Sequence, residues 1–171
     1  MREWMGKRTD RGRRGRRRAC ATALVAALAL GGSVAASAQE DDDLAYETAA
    51  REALEEYFRA WNATDNDAVA AISNFPRLSL GQNGQAVVRE TPEEIVTDFE
   101  VLRQSGWDHT TLDLAEAIQV SADKVHFRIV FTRYTADDTP YSTIPALYVV
   151  TNQDGHWGLQ LQSVLPATFT R

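Results

Sequence analysis

Cysteine is almost missing from this chain. The single one, Cys20, lies in an apolar stretch near the N-terminus, so the rest can form no disulfide and offers no thiolate to a metal. Histidine is scarce as well. His109, His126 and His156 stand at unrelated spacings, which gives a metal site no support. Beyond residue 38 positive charge is thin, with nine Lys and Arg against 22 Asp and Glu, a net −13 over 133 residues. A surface that acidic repels nucleic acid and anionic membrane, and neither is expected as a partner. There is no glycine-rich phosphate loop and no Ser/His/Asp signature, so no cofactor is implied. Only one uncharged run, Ala19–Ala38, has membrane-spanning length.

That run belongs to a tripartite N-terminus. Met1–Arg18 holds nine basic residues against Glu3 and Asp10, the apolar run follows, and Ala36-Ser37-Ala38 is an A-x-A site. The pattern reads as an export signal cleaved after Ala38. The alternative is an uncleaved anchor, against which the Ala and Gly content argues because it makes the run weakly hydrophobic. The paired arginines leave the general and twin-arginine routes both open. Either way the positive flank stays inside and the domain is placed outside the cytoplasm, periplasmic or secreted. The expected division is a signal over 1–38, an acidic segment over 39–45, one domain over 46–166 and a tail over 167–171. A chain of 133 residues can bury one adequate core without staples.

Ala50, Leu54, Tyr57, Phe58 and Trp61 recur at helical spacing with Glu52, Glu55, Glu56 and Arg59 outside, which predicts an amphipathic helix from the acidic Glu40–Leu44 to about Ala63. DAVAAI makes a short second helix. RLSL and QAVVR flank Gly81–Gly84 as a hairpin. Thr91, Pro92 and Glu94 form a capping box that starts a third helix, running to Gly106. From Trp107 onward only strands fit, about 109–120, 124–135, 141–151 and 156–165. Turn lengths then set register. Val120 opposite Val125 puts Ile118 on Phe127 and Leu114 on Phe131. Tyr134 opposite Tyr141 puts Phe127 on Tyr148, and Thr151 opposite His156 puts Tyr148 on Leu159. The three hairpins agree in placing Ile118, Phe127, Tyr148 and Leu159 on one face.

This order of elements resembles the cone-shaped α+β fold of the nuclear-transport-factor-2-like (SnoaL-like) superfamily. YFRAWNATD, Phe75-Pro76, GWDHTTLD, DKVHFRIVFTRY and LYVVTNQDGHWGLQLQS are similar to recurring segments of one bacterial branch, over about Tyr46–Pro166. The resemblance implies three N-terminal-half helices packed on a curved, mostly antiparallel six-stranded sheet, with the pocket on its concave face. It also implies a symmetric dimer through the convex face, where His126, Arg128, Val130, Thr132, Tyr134, Leu147, Val149, Gln160 and Gln162 fall. The superfamily spans isomerases, cyclases, dehydratases and non-catalytic binding domains, so fold alone does not give function.

Chemistry inside the cone is sparse by parity. An isomerase of the ketosteroid type wants an acidic base after the second helix, but SNFPRLSL has none. His109 and Asp113 turn outward, and Glu116 is the one sheet carboxylate with inward parity, opposite Ile129, or in solvent if a bulge intervenes. Tyr57 and Trp61 line the pocket or fill the core. Tyr148 and Ser163 donate hydrogen bonds to a ligand or to backbone. Arg133, at a strand end of inward parity, pairs with an anionic ligand or with a helix acid such as Glu94 or Glu100. Three functions follow: a pocket for a small apolar or amphipathic molecule, a cofactor-independent isomerase, cyclase or dehydratase using Glu116, or a dimeric interaction module without a ligand.

Overall fold

Helix α1 (Gly31–Asn62) follows the expected apolar stripe. Ala50, Ala53, Leu54, Tyr57, Phe58 and Ala60 are buried, while Glu52, Glu55 and Arg59 face water. The computed structural model describes residues 31–169, so the basic part and most of the apolar run of the expected export signal, residues 1–30, lie outside the described residues. Because α1 is continuous from Gly31, Glu40–Asp43 lie within it rather than at its start. Cleavage after Ala38 would return them to the first turn, where acidic groups suit the positive end of the helix.

After α2 (Asn66–Ala71), capped by Asp65 through the Ala68 amide at 3.0 Å, the chain enters β1 (Ser73–Leu80) and β2 (Ala86–Arg89). The third helix departs from expectation. Thr91 makes no side-chain cap; Pro92–Glu94 is a single 3-10 turn and α3 is only Phe99–Gln104, capped by Asp98. The break has a tertiary cause. Asn66 grips the backbone of Thr97 from both sides, accepting from its amide and donating to its carbonyl at 3.0 Å each, which holds Thr97 out of a helix.

Four long strands complete the sheet: β3 (His109–Ser121), β4 (Lys124–Tyr134), β5 (Pro140–Gln153) and β6 (His156–Val164). A two-residue β7 (Thr168–Phe169) pairs with β5, so the sheet has seven strands rather than six and uses part of the expected tail. The order is β2-β1-β6-β5-β4-β3, antiparallel throughout except for β1 on β6. Helix α1 packs on the inner face. Val125, Phe127, Ile129 and Phe131 of β4 meet Ile144, Ala146, Tyr148 and Val150 of β5 there, all buried.

The β4–β5 register is the expected one, with Phe127 on Tyr148 and Phe131 on Ile144, until a shift past Arg133 sets Tyr134 on Pro140 instead of Tyr141. The other two hairpins are corrected by bulges. In β3 the register shifts after Leu112 and again after Ala117, so Ala117 rather than Ile118 faces Phe127 and Leu112 rather than Leu114 faces Phe131. Leu114 and Ile118 are exposed. The reason is steric: small Ala115 and Ala117 fit beneath α1, where Arg51 donates to the Ala115 carbonyl at 2.8 Å and lies 5.4 Å from the Phe127 ring centroid. Between β5 and β6 the turn is only Asp154-Gly155, both at positive φ (54° and 89°), the geometry that tight hairpins favour. Val150 therefore meets Leu159, and a shift at Gln160 reverses parity beyond it.

Candidate functional site

Two neighbouring pockets, two lobes that share three lining residues, open between α1 and the inner sheet face. The larger, about 290 Å³, lies between Tyr57, Trp61, Val69 and Ile95 and the β1–β2 hairpin, including Arg77, Ser79, Val87 and Arg89. The smaller, about 140 Å³, is bounded by Phe58, Phe131, Arg133, Ile144, Tyr148 and Val164. Tyr57, Trp61 and Gln162 border both. A separate shallow groove outside the cone runs past Asp67, Phe75 and Glu93.

Helical spacing places Tyr57 and Trp61 one turn apart, their ring centroids 6.2 Å apart. Tyr57 packs edge-on to Tyr148 at 6.1 Å, and Trp61 packs edge-on to Phe99 at 5.1 Å and Trp107 at 6.4 Å. Of the residues expected at a site, Tyr57, Trp61, Tyr148 and Arg133 are brought together here. Glu116 and Ser163 are not. The β3 bulge at Ile118 turns Glu116 outward opposite Arg128, where the two form an exposed ion pair with Arg128 Nε donating at 2.9 Å. Burying that carboxylate would have cost several kcal/mol. The Gln160 shift turns Ser163 to the outer face opposite Leu147 and brings Gln162, expected outside, onto Tyr148 inside. Neither Glu94 nor Glu100 reaches Arg133: Glu94 accepts from the Glu90 amide at 3.0 Å, and Glu100 from Gln104 at 3.2 Å.

Arg77 was not singled out from the sequence, yet it is the most unusual side chain here. It is 4% exposed. Its Nη1 donates to Ser73 Oγ at 2.9 Å, its Nη2 donates to Gln162 Oε1, and its guanidinium carbon lies 5.1 Å from the Tyr57 ring centroid. All three partners are neutral. The Nε atoms of Arg77 and Arg133 are both buried without a hydrogen-bond partner. Among the described residues no carboxylate forms an ion pair with Arg77, Arg89 or Arg133. The signal was present in the hairpin: with Gly81–Gln85 as the turn, Arg77 falls opposite Arg89, on the same side as Ser79 and Val87. Tyr148 is held protonated, because burial pushes its phenol well above the usual range and neighbouring Tyr57 adds to this, with Arg77 and Arg133 opposing. It is a hydrogen-bond donor at any ordinary pH.

This cone of helix on curved sheet matches known proteins. A family model described as NTF2-like protein (DUF6841) matches residues 46–161. The chain belongs to this family. No curated protein matches it. Among solved structures, an NTF2-like protein with a cystatin-like fold from Novosphingobium aromaticivorans is similar at TM-score 0.59 and 12% identity, over 81% of this chain and 90% of that one. Hexachlorocyclohexane dehydrochlorinase LinA-type3 from Novosphingobium barchaimii is similar at TM-score 0.57 and 15% identity, over 77% and 92%. A protein of unknown function with a cystatin-like fold from Nostoc punctiforme matches at TM-score 0.57 and 15% identity, over 70% and 89%. At such identities the likeness is one of fold. The NTF2-like assignment and the α+β cone read from the sequence are both upheld.

Proposed function

We propose that this NTF2-like chain is an exported binding domain that holds a small, largely apolar molecule in the two-lobed cavity without transforming it. One observation carries the reading: the cavity joins Tyr57, Trp61, Tyr148 and aliphatic side chains, and neither lobe is lined by a carboxylate or an imidazole. An aromatic and aliphatic lining with a few fixed polar groups is how small-molecule sites are composed. Proton abstraction from a substrate needs a base within hydrogen-bond reach, and Glu116, the residue expected to supply it, stands outside the cone. A raised Tyr148 phenol is a poor base at neutral pH. Dehydrochlorinase chemistry in a structural neighbour of 15% identity therefore does not transfer. The export reading rests on residues 1–38, and the outer sheet face, with Val130, Leu147, Val149 and Leu161, is proposed as the seat of a homodimer.

The test is native mass spectrometry of the exported protein together with calorimetric titration of 2-naphthylmethanol and 2-naphthoate. A co-purifying small molecule, or saturable binding of either compound that is lost in Trp61→Ala, supports the reading. A bare polypeptide mass with no binding of either compound overturns it.

A further inference from the structure

The binding reading leaves the charge of the cavity unexplained. Three of the nine cationic side chains beyond residue 38, Arg77, Arg89 and Arg133, line its lobes, while none of the 22 acidic ones does. The whole domain is strongly acidic, so chance would favour the reverse. Arg77 and Arg89 are direct cross-strand partners, and like charges so placed repel. Arg77 is almost completely buried, and every partner it has is neutral. A guanidinium stays ionised in proteins, and a desolvated charge without a counter-charge is costly. A purely structural arginine would be expected to have an acid beside it.

Resting on the binding reading above, we propose that the ligand is an amphipathic organic carboxylate whose anionic head is recognised by Arg77, with Arg89 at the hairpin side and Arg133 in the smaller lobe. The aromatic walls at Tyr57 and Trp61 take the apolar body. A planar carboxylate suits the donors that remain. With one hydrogen of Nη1 and one of Nη2 engaged, Arg77 keeps Nε–H and two further N–H groups in the fork geometry that pairs with two oxygens. Gln162 gives its carbonyl oxygen to Arg77, so its amide nitrogen is left to donate. The acidic exterior does not oppose such binding at close range, because salt screens exposed charges beyond about 8 Å.

The experiment compares 2-naphthoate with 2-naphthylmethanol, matched in shape and differing in charge, by calorimetry on the purified exported protein. The expected result is at least about tenfold tighter binding of the anion. Arg77→Met should remove that preference, weakening the acid at least several-fold more than the alcohol. Arg89→Gln, at a partly exposed position, should reduce it several-fold and serves if Arg77→Met fails to fold, which circular dichroism would reveal. Equal binding of acid and alcohol, or equal losses for both in the arginine variants, overturns the anion assignment and leaves the binding reading standing. Binding of neither overturns both.

Discussion

If Arg77 is held for a ligand rather than for the fold, replacing it should not harm the empty protein. Arg77→Met removes a guanidinium that is 4% exposed and faces only Ser73, Gln162 and the Tyr57 ring. Exchanging even a paired buried charge for apolar atoms of similar volume is often neutral or stabilising by about 1–4 kcal/mol, and Arg77 has only neutral partners. Against this, Gln162 Oε1 loses its donor, about 1 kcal/mol, and the cation–ring contact with Tyr57 is lost, about 0.5–2 kcal/mol. Ser73 loses little, since its hydroxyl still donates to the Val69 carbonyl at 2.7 Å. The terms nearly cancel: the balance lies between about 3 kcal/mol against the variant and about 2.5 kcal/mol in its favour, so Tm should move by no more than about 12 °C in either direction at about 4 °C per kcal/mol. Thermal unfolding by circular dichroism and a urea titration measure it. A loss of more than about 3 kcal/mol, with the slope on urea unchanged, would refute the reasoning and make Arg77 a structural post.

The outer face gives a second test. Val130→Asp and Leu147→Asp should shift a dimer to monomer in light scattering with the fold intact, whereas Phe127→Asp, on the 0% exposed inner face, should abolish folding; a wild-type monomer would remove the dimer proposal. Gly158→Ala should cost about 1–3 kcal/mol in urea unfolding, since a Cβ there would meet Asn74 Cγ and Oδ1 at 3.0 Å and its backbone nitrogen at 3.1 Å. Asn74 has little room to yield, because its amide is held by the Thr151 carbonyl at 2.7 Å. Tyr148 makes stability depend on alkaline pH. Its folded pKa is raised by burial above the unfolded value of about 10, so its contribution is complete below pH 10 and falls away as pH climbs past it. Tm measured from pH 8 to pH 11.5 should drop above about pH 10, and Tyr148→Phe should lessen the drop; identical profiles would contradict the burial.

Element type and order were legible because they depend on local periodicity. The stripe Leu54, Tyr57, Phe58, Trp61 makes one helix face wherever the chain goes, and Val125, Phe127, Ile129, Phe131 make one strand face. The β4–β5 register followed from turn length and held along most of its length. Tyr57, Trp61, Tyr148 and Arg133 were accordingly placed on the inner side by sequence alone. What tertiary structure decided was parity beyond a bulge, and parity chose the site. A strand alternates with period two, so one extra residue at Ile118 exchanges Ile118 and Glu116 for Ala117 and Ala115 beneath α1, a second at Asp113 restores the parity so that Leu112 faces Phe131, and one at Gln160 exchanges Ser163 for Gln162. Those insertions are selected by the room under the helix and by the cost of burying Glu116, neither of which is written in a neighbouring residue. The third helix broke for the same kind of reason, because Asn66, 31 residues away, holds Thr97. Arg77 shows the limit most plainly. Its position on a hairpin is local, but its burial under Tyr57 without an acid depends on how α1, β1 and β6 converge.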